Sequence, residues 1–162
     1  MSSEPTLIVR RVSGVDIRGA VELLASQQKD LGRQVNTDQL RPAVQAVLED
    51  SDRTLVVGAY HEGLPGFQHG KMVGMFVMHV LPSLEHAGEV GWVQKLYVRP
   101  DYRKRGLGEK LLAQGLEWAD GRGLRAVDLE VGEADLAEAA ERLYGKKGFR
   151  KLTRTRLSNA KV

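Results

Sequence analysis

One stretch of the chain joins a strand pattern, a basic glycine-rich turn and a helix pattern, an arrangement that can bind an anion. The strand ends at Val98 and the helix pattern begins at Leu107. Gly106 and Gly108 have no side chain to block a ligand, and the first-turn amides of a helix lack partners within it. With the helix dipole behind them, these amides favour a bound pyrophosphate. The positive charge comes from three consecutive residues, Arg103, Lys104 and Arg105.

Hydrophobic periodicity predicts the elements that would position this turn. Strands are predicted over 7–12, 54–60, 72–80, 89–98, 124–131 and 149–157. Helices are predicted over 15–31, 37–48, 107–120 and 135–146, the second of them capped by Thr37. We therefore expect one α/β domain spanning residues 1–162. Its mixed, mostly antiparallel sheet should contain one parallel strand–helix–strand crossover, with helices on both faces.

Composition excludes several classes of site. The 162 residues include no cysteine, so disulfides, a thiol nucleophile and cysteine-ligated metals are excluded. The four histidines have no metal-ligand spacing, and no metal is expected. The longest mostly apolar run, 72–81, is shorter than the ~20 residues of a membrane helix. The N-terminus does not read as a signal peptide, so a cytoplasmic protein without membrane contact is expected.

The net charge of +3 hides a basic end, because no acidic residue follows Glu141. Such a cluster attracts phosphates, and a nucleic-acid-binding module is the non-enzymatic alternative. Aromatic residues make up only 6% of the chain and no base-stacking motif is present, which disfavours that alternative.

The segment Leu96–Gly108 resembles the acetyl-CoA signature of the GNAT N-acetyltransferase superfamily. In that family a strand ending in L-x-V-x-P precedes R/Q-x-x-G-x-G/A, and here Leu96-Tyr-Val-Arg-Pro100 precedes Arg103-x-x-Gly106-x-Gly108. A second stretch, Ala140–Phe149, is similar to the family's A-x-x-L-Y-x-x-x-G-F. The order of the predicted elements also matches that of a GNAT domain.

The resemblance implies an N-acetyltransferase that uses acetyl-CoA as cosubstrate. Tyr144 would lie near the coenzyme sulfur and protonate the leaving thiolate. The main chain of Leu96, Tyr97 and Val98 would pair with the pantetheine arm. The pyrophosphate would be held by the turn residues Arg103, Lys104, Arg105, Gly106, Leu107 and Gly108.

The chain departs from the family pattern at two positions. Ala137 stands where many members have a cofactor-binding Asn, and Trp92 stands where some have a Glu general base. The base therefore stays open between His79, Glu89, Glu130 and a water chain. The acceptor is a small-molecule amine or a protein amine. A transferase of another acyl group, a coenzyme A sensor and a homodimer also stay open.

Overall fold

The computed structural model describes residues 4–130, 147–149 and 158–160. The chain separates into two compact units, 1–130 and 131–162, and every helix and strand described below belongs to the first. The expectation of one domain over 1–162 stays a prediction. The predicted helix 135–146 and strand 149–157 lie outside the described residues, apart from the ends at 146–149 where only 147–149 are described.

The first unit is built on a five-stranded sheet in the order β1-β2-β3-β4-β5. The first four strands pair antiparallel, while β5 runs parallel to β4 after a helical crossover. This confirms the predicted mixed, mostly antiparallel sheet. The strands are β1 Thr6–Arg11, β2 Thr54–Glu62, β3 Lys71–Ser83, β4 Gly88–Val98 and β5 Val127–Leu129.

Helices cover both faces of this sheet, as predicted. They are α1 Ile17–Asp30, α2 Thr37–Glu49 and α3 Leu107–Gly121, with one-turn 3-10 helices at Gly14–Asp16 and Pro100–Tyr102. On one face, α1 and α2 share a buried cluster with Met75 and Val77 of β3. On the other, α3 approaches so closely that a Cβ on Gly115 would lie 2.3 Å from the Phe76 ring.

A buried ion pair fixes the start of α1. Arg10 donates to both oxygens of Asp16, at 2.8 and 3.0 Å, and the Ser13 N–H donates to one of them at 2.9 Å. Burial pushes the pKa of Asp16 upward, but the hydrogen bonds from Arg10 and Ser13 outweigh it and hold that pKa below its usual value. The pair thereby ties α1, which crosses β4, to the sheet.

Two predicted details are wrong. The cap of α2 is Asn36, not Thr37, because the Asn36 side chain accepts from the Asp38 N–H at 3.1 Å and Thr37 is already helical. The last described strand covers only Val127–Leu129 instead of 124–131. It starts late because the Leu124 N–H donates to the carbonyl of Ala119 at the end of α3.

Candidate active site

Strand β4 contains a bulge where the candidate site begins. Val93 pairs with Met78 and Lys95 pairs with Val77, so Gln94 has no partner residue on β3. A bulge inserts one residue and shifts which side chains share a face. Pairing with β5 extends only from Gly91 to Val93 among the described residues, so β4 is joined to both neighbours before the bulge and to β3 after it.

The bulge sorts the side chains of β4 between the two faces. Cross-strand partners share a face, so Leu96 follows its partner Phe76 toward α3. Tyr97 instead joins the buried cluster beneath α1 and α2. Lys95 and Arg99 alternate with Leu96 and Val98 and therefore face α1 as well.

The main chain of β4 beyond the bulge presents an edge for hydrogen bonding. The Arg99 N–H donates to Val73 O of β3 at 2.8 Å. By the alternation of an antiparallel ladder, Tyr97 also turns its main chain toward β3, and Leu96 and Val98 turn theirs away. Of the three residues predicted to pair with pantetheine, the structure therefore directs Leu96 and Val98 to the edge and Tyr97 to the sheet.

The turn between β4 and α3 contains two residues in the left-handed conformation. Gly106, the N-cap of α3, has φ +78°, and a Cβ there would meet nothing within 4 Å. Lys104 has φ +62°, which is uncommon for a residue with a side chain. Within the described ranges, no backbone carbonyl accepts from the N–H groups of residues 104–108. These amides are available to an anion in front of the helix.

The predicted basic side chains do not act alike. The Arg103 Nε donates to Val98 O at 2.9 Å, and its guanidinium lies 5.8 Å from the centre of the Tyr97 ring. Arg103 thus ties the turn to the end of β4. Lys104 and Arg105 are exposed, whereas the Leu107 side chain is buried in the core and offers only its amide.

A contact from β2 supports the start of the turn. His61 Nδ1 lies 2.7 Å from the hydroxyl of Tyr102, and the two rings meet edge to face. Tyr102 immediately precedes Arg103, so this hydrogen bond anchors the turn to the sheet. Sequence reasoning missed it because the two residues are 41 positions apart.

The three candidate bases occupy different places. His79 is half-buried on β3 and stacks on Trp92, and its Nε2 lies 2.6 Å from Oε1 of the bulge residue Gln94. Its Nδ1 lies 3.3 Å from the Thr54 hydroxyl. Glu89 accepts from Arg53 at 2.7 Å near the opposite end of β4. Glu130 is exposed and follows the end of β5.

The second motif falls mostly outside the described residues. Tyr144 and Ala137 are among the residues that the structure does not describe, and of residues 140–149 only 147–149 are described. The predicted role of Tyr144 therefore stays a prediction. Gly148 has φ +86°, a conformation that favours glycine.

Sequence reasoning also missed the residues that line the α1 face of β4. Lys95 donates to Gln27 of α1 at 3.1 Å, and the Tyr97 hydroxyl donates to Asp30 at 3.2 Å. Burial, reinforced by the hydrogen bond to Asp30, raises the pKa of Tyr97. One signal was present in the sequence. The consecutive polar residues Gln94 and Lys95 interrupt the alternation of the strand, as a bulge would.

Two searches of the described part of the chain returned nothing. No helix there is long and apolar enough to cross a bilayer. No group of three or more His, Asp or Glu side chains there could hold a metal ion.

Comparison with known proteins identifies the family. Residues 21–149 match the model of the acetyltransferase (GNAT) family, which is most of the chain and includes the bulge, the turn and α3. The chain belongs to the GNAT acetyltransferase family. Its resemblance to the acetyl-CoA signature is thereby placed in a domain of the expected kind.

Individual relatives of this GNAT chain agree in fold. It is 31% identical over 83 residues to an aminoalkylphosphonate N-acetyltransferase of Salmonella typhimurium, covering 51% of this chain and 53% of that protein. The matched segments span 26% and 53% of the lengths of two curated relatives. An integron cassette protein from the Cole Harbour salt marsh metagenome superposes with a TM-score of 0.76 at 24% identity, covering 94% of this chain and 89% of that one. A predicted acetyltransferase of Clostridium acetobutylicum, solved with acetyl-CoA, gives 0.73 at 17% identity, covering 95% and 96%.

Proposed function

We propose that this GNAT domain transfers the acetyl group of acetyl-CoA to a primary amine by direct attack. The observation that carries the proposal is one continuous segment, Gln94–Gly108. It combines a bulge, a main-chain edge and a set of amides without backbone partners at the start of α3. An extended arm ending in a pyrophosphate would use the edge and the amides together.

The coenzyme would bind mainly through main-chain groups. Leu96 and Val98 would hydrogen-bond the pantetheine amides, and the N–H groups from Lys104 to Gly108 would hold the pyrophosphate. Lys104 and Arg105 are free of printed ion pairs and add positive charge near it, while Arg103 keeps the turn against β4. The C. acetobutylicum relative, solved with acetyl-CoA, supports this choice of cosubstrate.

The reaction requires a neutral amine, because an alkylammonium with a pKa near ~10.4 has no lone pair for attack. Of the three candidate side chains, His79 lies closest in the sheet to the bulge, and we assign it the role of base. Its Nε2 becomes accessible when water or the acceptor displaces the Gln94 amide. A main-chain amide of β4 would stabilise the oxyanion, and Tyr144 would protonate the thiolate.

The acceptor is proposed as a primary amine, either a small molecule or a protein amine. The Salmonella relative is named for aminoalkylphosphonates, which makes them one class to include among small amines. Two alternatives use the same coenzyme site: transfer of a different acyl group, and coenzyme A sensing without turnover.

An assay of free thiol release across a panel of amines tests the proposal. Acetyl-CoA should give amine-dependent thiol release, and mass spectrometry should show the N-acetyl product. Faster release from propionyl- or succinyl-CoA would favour the other acyl group, whereas binding without release with any amine would favour the sensor. Failure of every coenzyme A thioester to raise the melting temperature would contradict the coenzyme site itself.

A further inference from the structure

A row of polar side chains lies on the α1 face of β4 just beyond the bulge. Lys95, Tyr97 and Arg99 alternate along the strand, so successive members are separated by roughly 6.7 Å. All three contact the C-terminal half of α1. Lys95 donates to Gln27 at 3.1 Å, Tyr97 donates to Asp30 at 3.2 Å, and Arg99 lies 3.5 Å from the Ser26 hydroxyl.

The cations of this row are poorly compensated. Lys95 is half-buried, and the partner found for it is a neutral amide oxygen. Burial lowers the pKa of Lys95, and the positive charge of Arg33 lowers it further. The Nε of Arg99 is buried without a hydrogen-bond partner among the described residues. Asp30 is the acid that contacts the row, and it already accepts from Tyr97.

The row is placed to meet the acceptor rather than the coenzyme phosphates. The proposed pyrophosphate site lies beyond Val98, at the turn, whereas Lys95 precedes the residues proposed to bind pantetheine. Leu96 and Val98 turn their side chains toward α3, and Lys95 projects from the opposite face. A molecule that approaches the thioester from the α1 side would therefore encounter Lys95 and Arg33.

We propose that the acceptor is a small amine that also carries a carboxylate or phosphonate, and that Lys95 binds this anionic group. Arg33 and Arg99 strengthen the attraction. The inference rests on the proposed acetyl transfer and specifies its substrate class. An anion at this position would supply the counter-charge that Lys95 lacks, and a charge-assisted hydrogen bond is the stronger kind.

Matched acceptors and matched variants test the inference. The acceptors are ω-amino acids of increasing length, such as glycine, β-alanine and 4-aminobutyrate, each paired with its neutral amide, together with 2-aminoethylphosphonate. The variants are Lys95→Met, which removes the charge and keeps the stem, and Lys29→Met as control. Lys29 is exposed on the same helix that contacts Lys95 and makes no described contact with the row.

The wild-type protein should acetylate the best anionic amine with a kcat/KM at least about tenfold above that of its amide, as expected for a hydrogen bond to a charged group. Lys95→Met should remove that preference and leave the amide's kcat/KM near its parental value. Lys29→Met should change neither. The phosphonate arm shows which of the two anions fits better.

Two outcomes overturn the inference. One is equal use of acid and amide by the wild-type protein, and the other is an equal loss for both in Lys95→Met. The melting temperature of Lys95→Met should match or exceed the parental value, because a desolvated cation has been removed. If no amine of any kind is acetylated although acetyl-CoA binds, the proposed function fails first. That result is distinct from acetylation without preference for an anion.

Discussion

The hydroxyl of Tyr144 carries the proposed proton donor, and a single substitution isolates it. Tyr144→Phe keeps the ring and should slow turnover by about a hundredfold, at the lower end of general acid catalysis, with little change in acetyl-CoA affinity. The loss should shrink at high pH, where the thiolate, whose conjugate acid has a pKa near ~8.5, leaves without protonation. Steady-state kinetics and calorimetry measure both effects. A folded variant with the parental kcat would make Tyr144 a packing residue.

His79 and Glu89 can be compared by the same change, from an ionisable group to an amide. His79→Gln should lower kcat by about a hundredfold at neutral pH, and less at high pH, where the amine loses its proton to solvent. Glu89→Gln should keep a kcat near the parental value, since Glu89 pairs with Arg53 away from the bulge. The pH profiles of kcat for both variants decide the matter. Loss of activity in Glu89→Gln with His79→Gln unaffected would reverse the assignment.

At the scale of elements, the hydrogen bond between His61 and Tyr102 links β2 to the turn that precedes α3. His61→Phe should weaken acetyl-CoA binding by about threefold to tenfold, the equivalent of one neutral hydrogen bond, while kcat at saturation is preserved. His69→Phe, in the exposed loop after β2, is the control and should bind normally. Calorimetric titration compares the two. Parental affinity in His61→Phe would show that the turn does not depend on this anchor.

The close approach of α3 to the sheet depends on Gly115. Gly115→Ala places a Cβ 2.3 Å from the Phe76 ring, and it should lower the free energy of unfolding by about 1–3 kcal/mol through overpacking. Gly121→Ala, where the added Cβ meets nothing within 4 Å, should be neutral or stabilising. Urea unfolding measures both. Equal stability of the two variants would mean that α3 shifts without cost.

The sequence predicts most of these elements because strand alternation and helical periodicity are local properties. The bulge at Gln94 could not be predicted in the same way, since a bulge is defined by the register against β3. That one residue decides that Lys95 faces α1 and that pairing with β5 ends at Val93. The sequence motif identified the turn before α3, but the tie between Arg103 and Val98 O depends on how the turn folds back.

At the scale of the whole molecule, the sheet holds one main-chain edge and one set of helix-start amides in a fixed relation. Residues 1–130 supply the proposed coenzyme contacts, the base and the acceptor-facing cations, and residues 131–162 contain Tyr144. The small net charge of +3 thus conceals positive groups concentrated where an anionic cosubstrate and acceptor would bind.

Calorimetric titration of acetyl-CoA into two glutamate variants of α3 tests the central claim most directly. Gly108→Glu puts a carboxylate in the first turn, where the pyrophosphate is proposed to bind. Gly121→Glu makes the same change at the other end of the helix, where an added Cβ meets nothing within 4 Å. Circular dichroism first establishes that both variants are folded. We expect Gly121→Glu to bind acetyl-CoA like the parent and Gly108→Glu to give no binding heat. A folded Gly108→Glu with parental affinity would contradict the assignment of the turn as the coenzyme site.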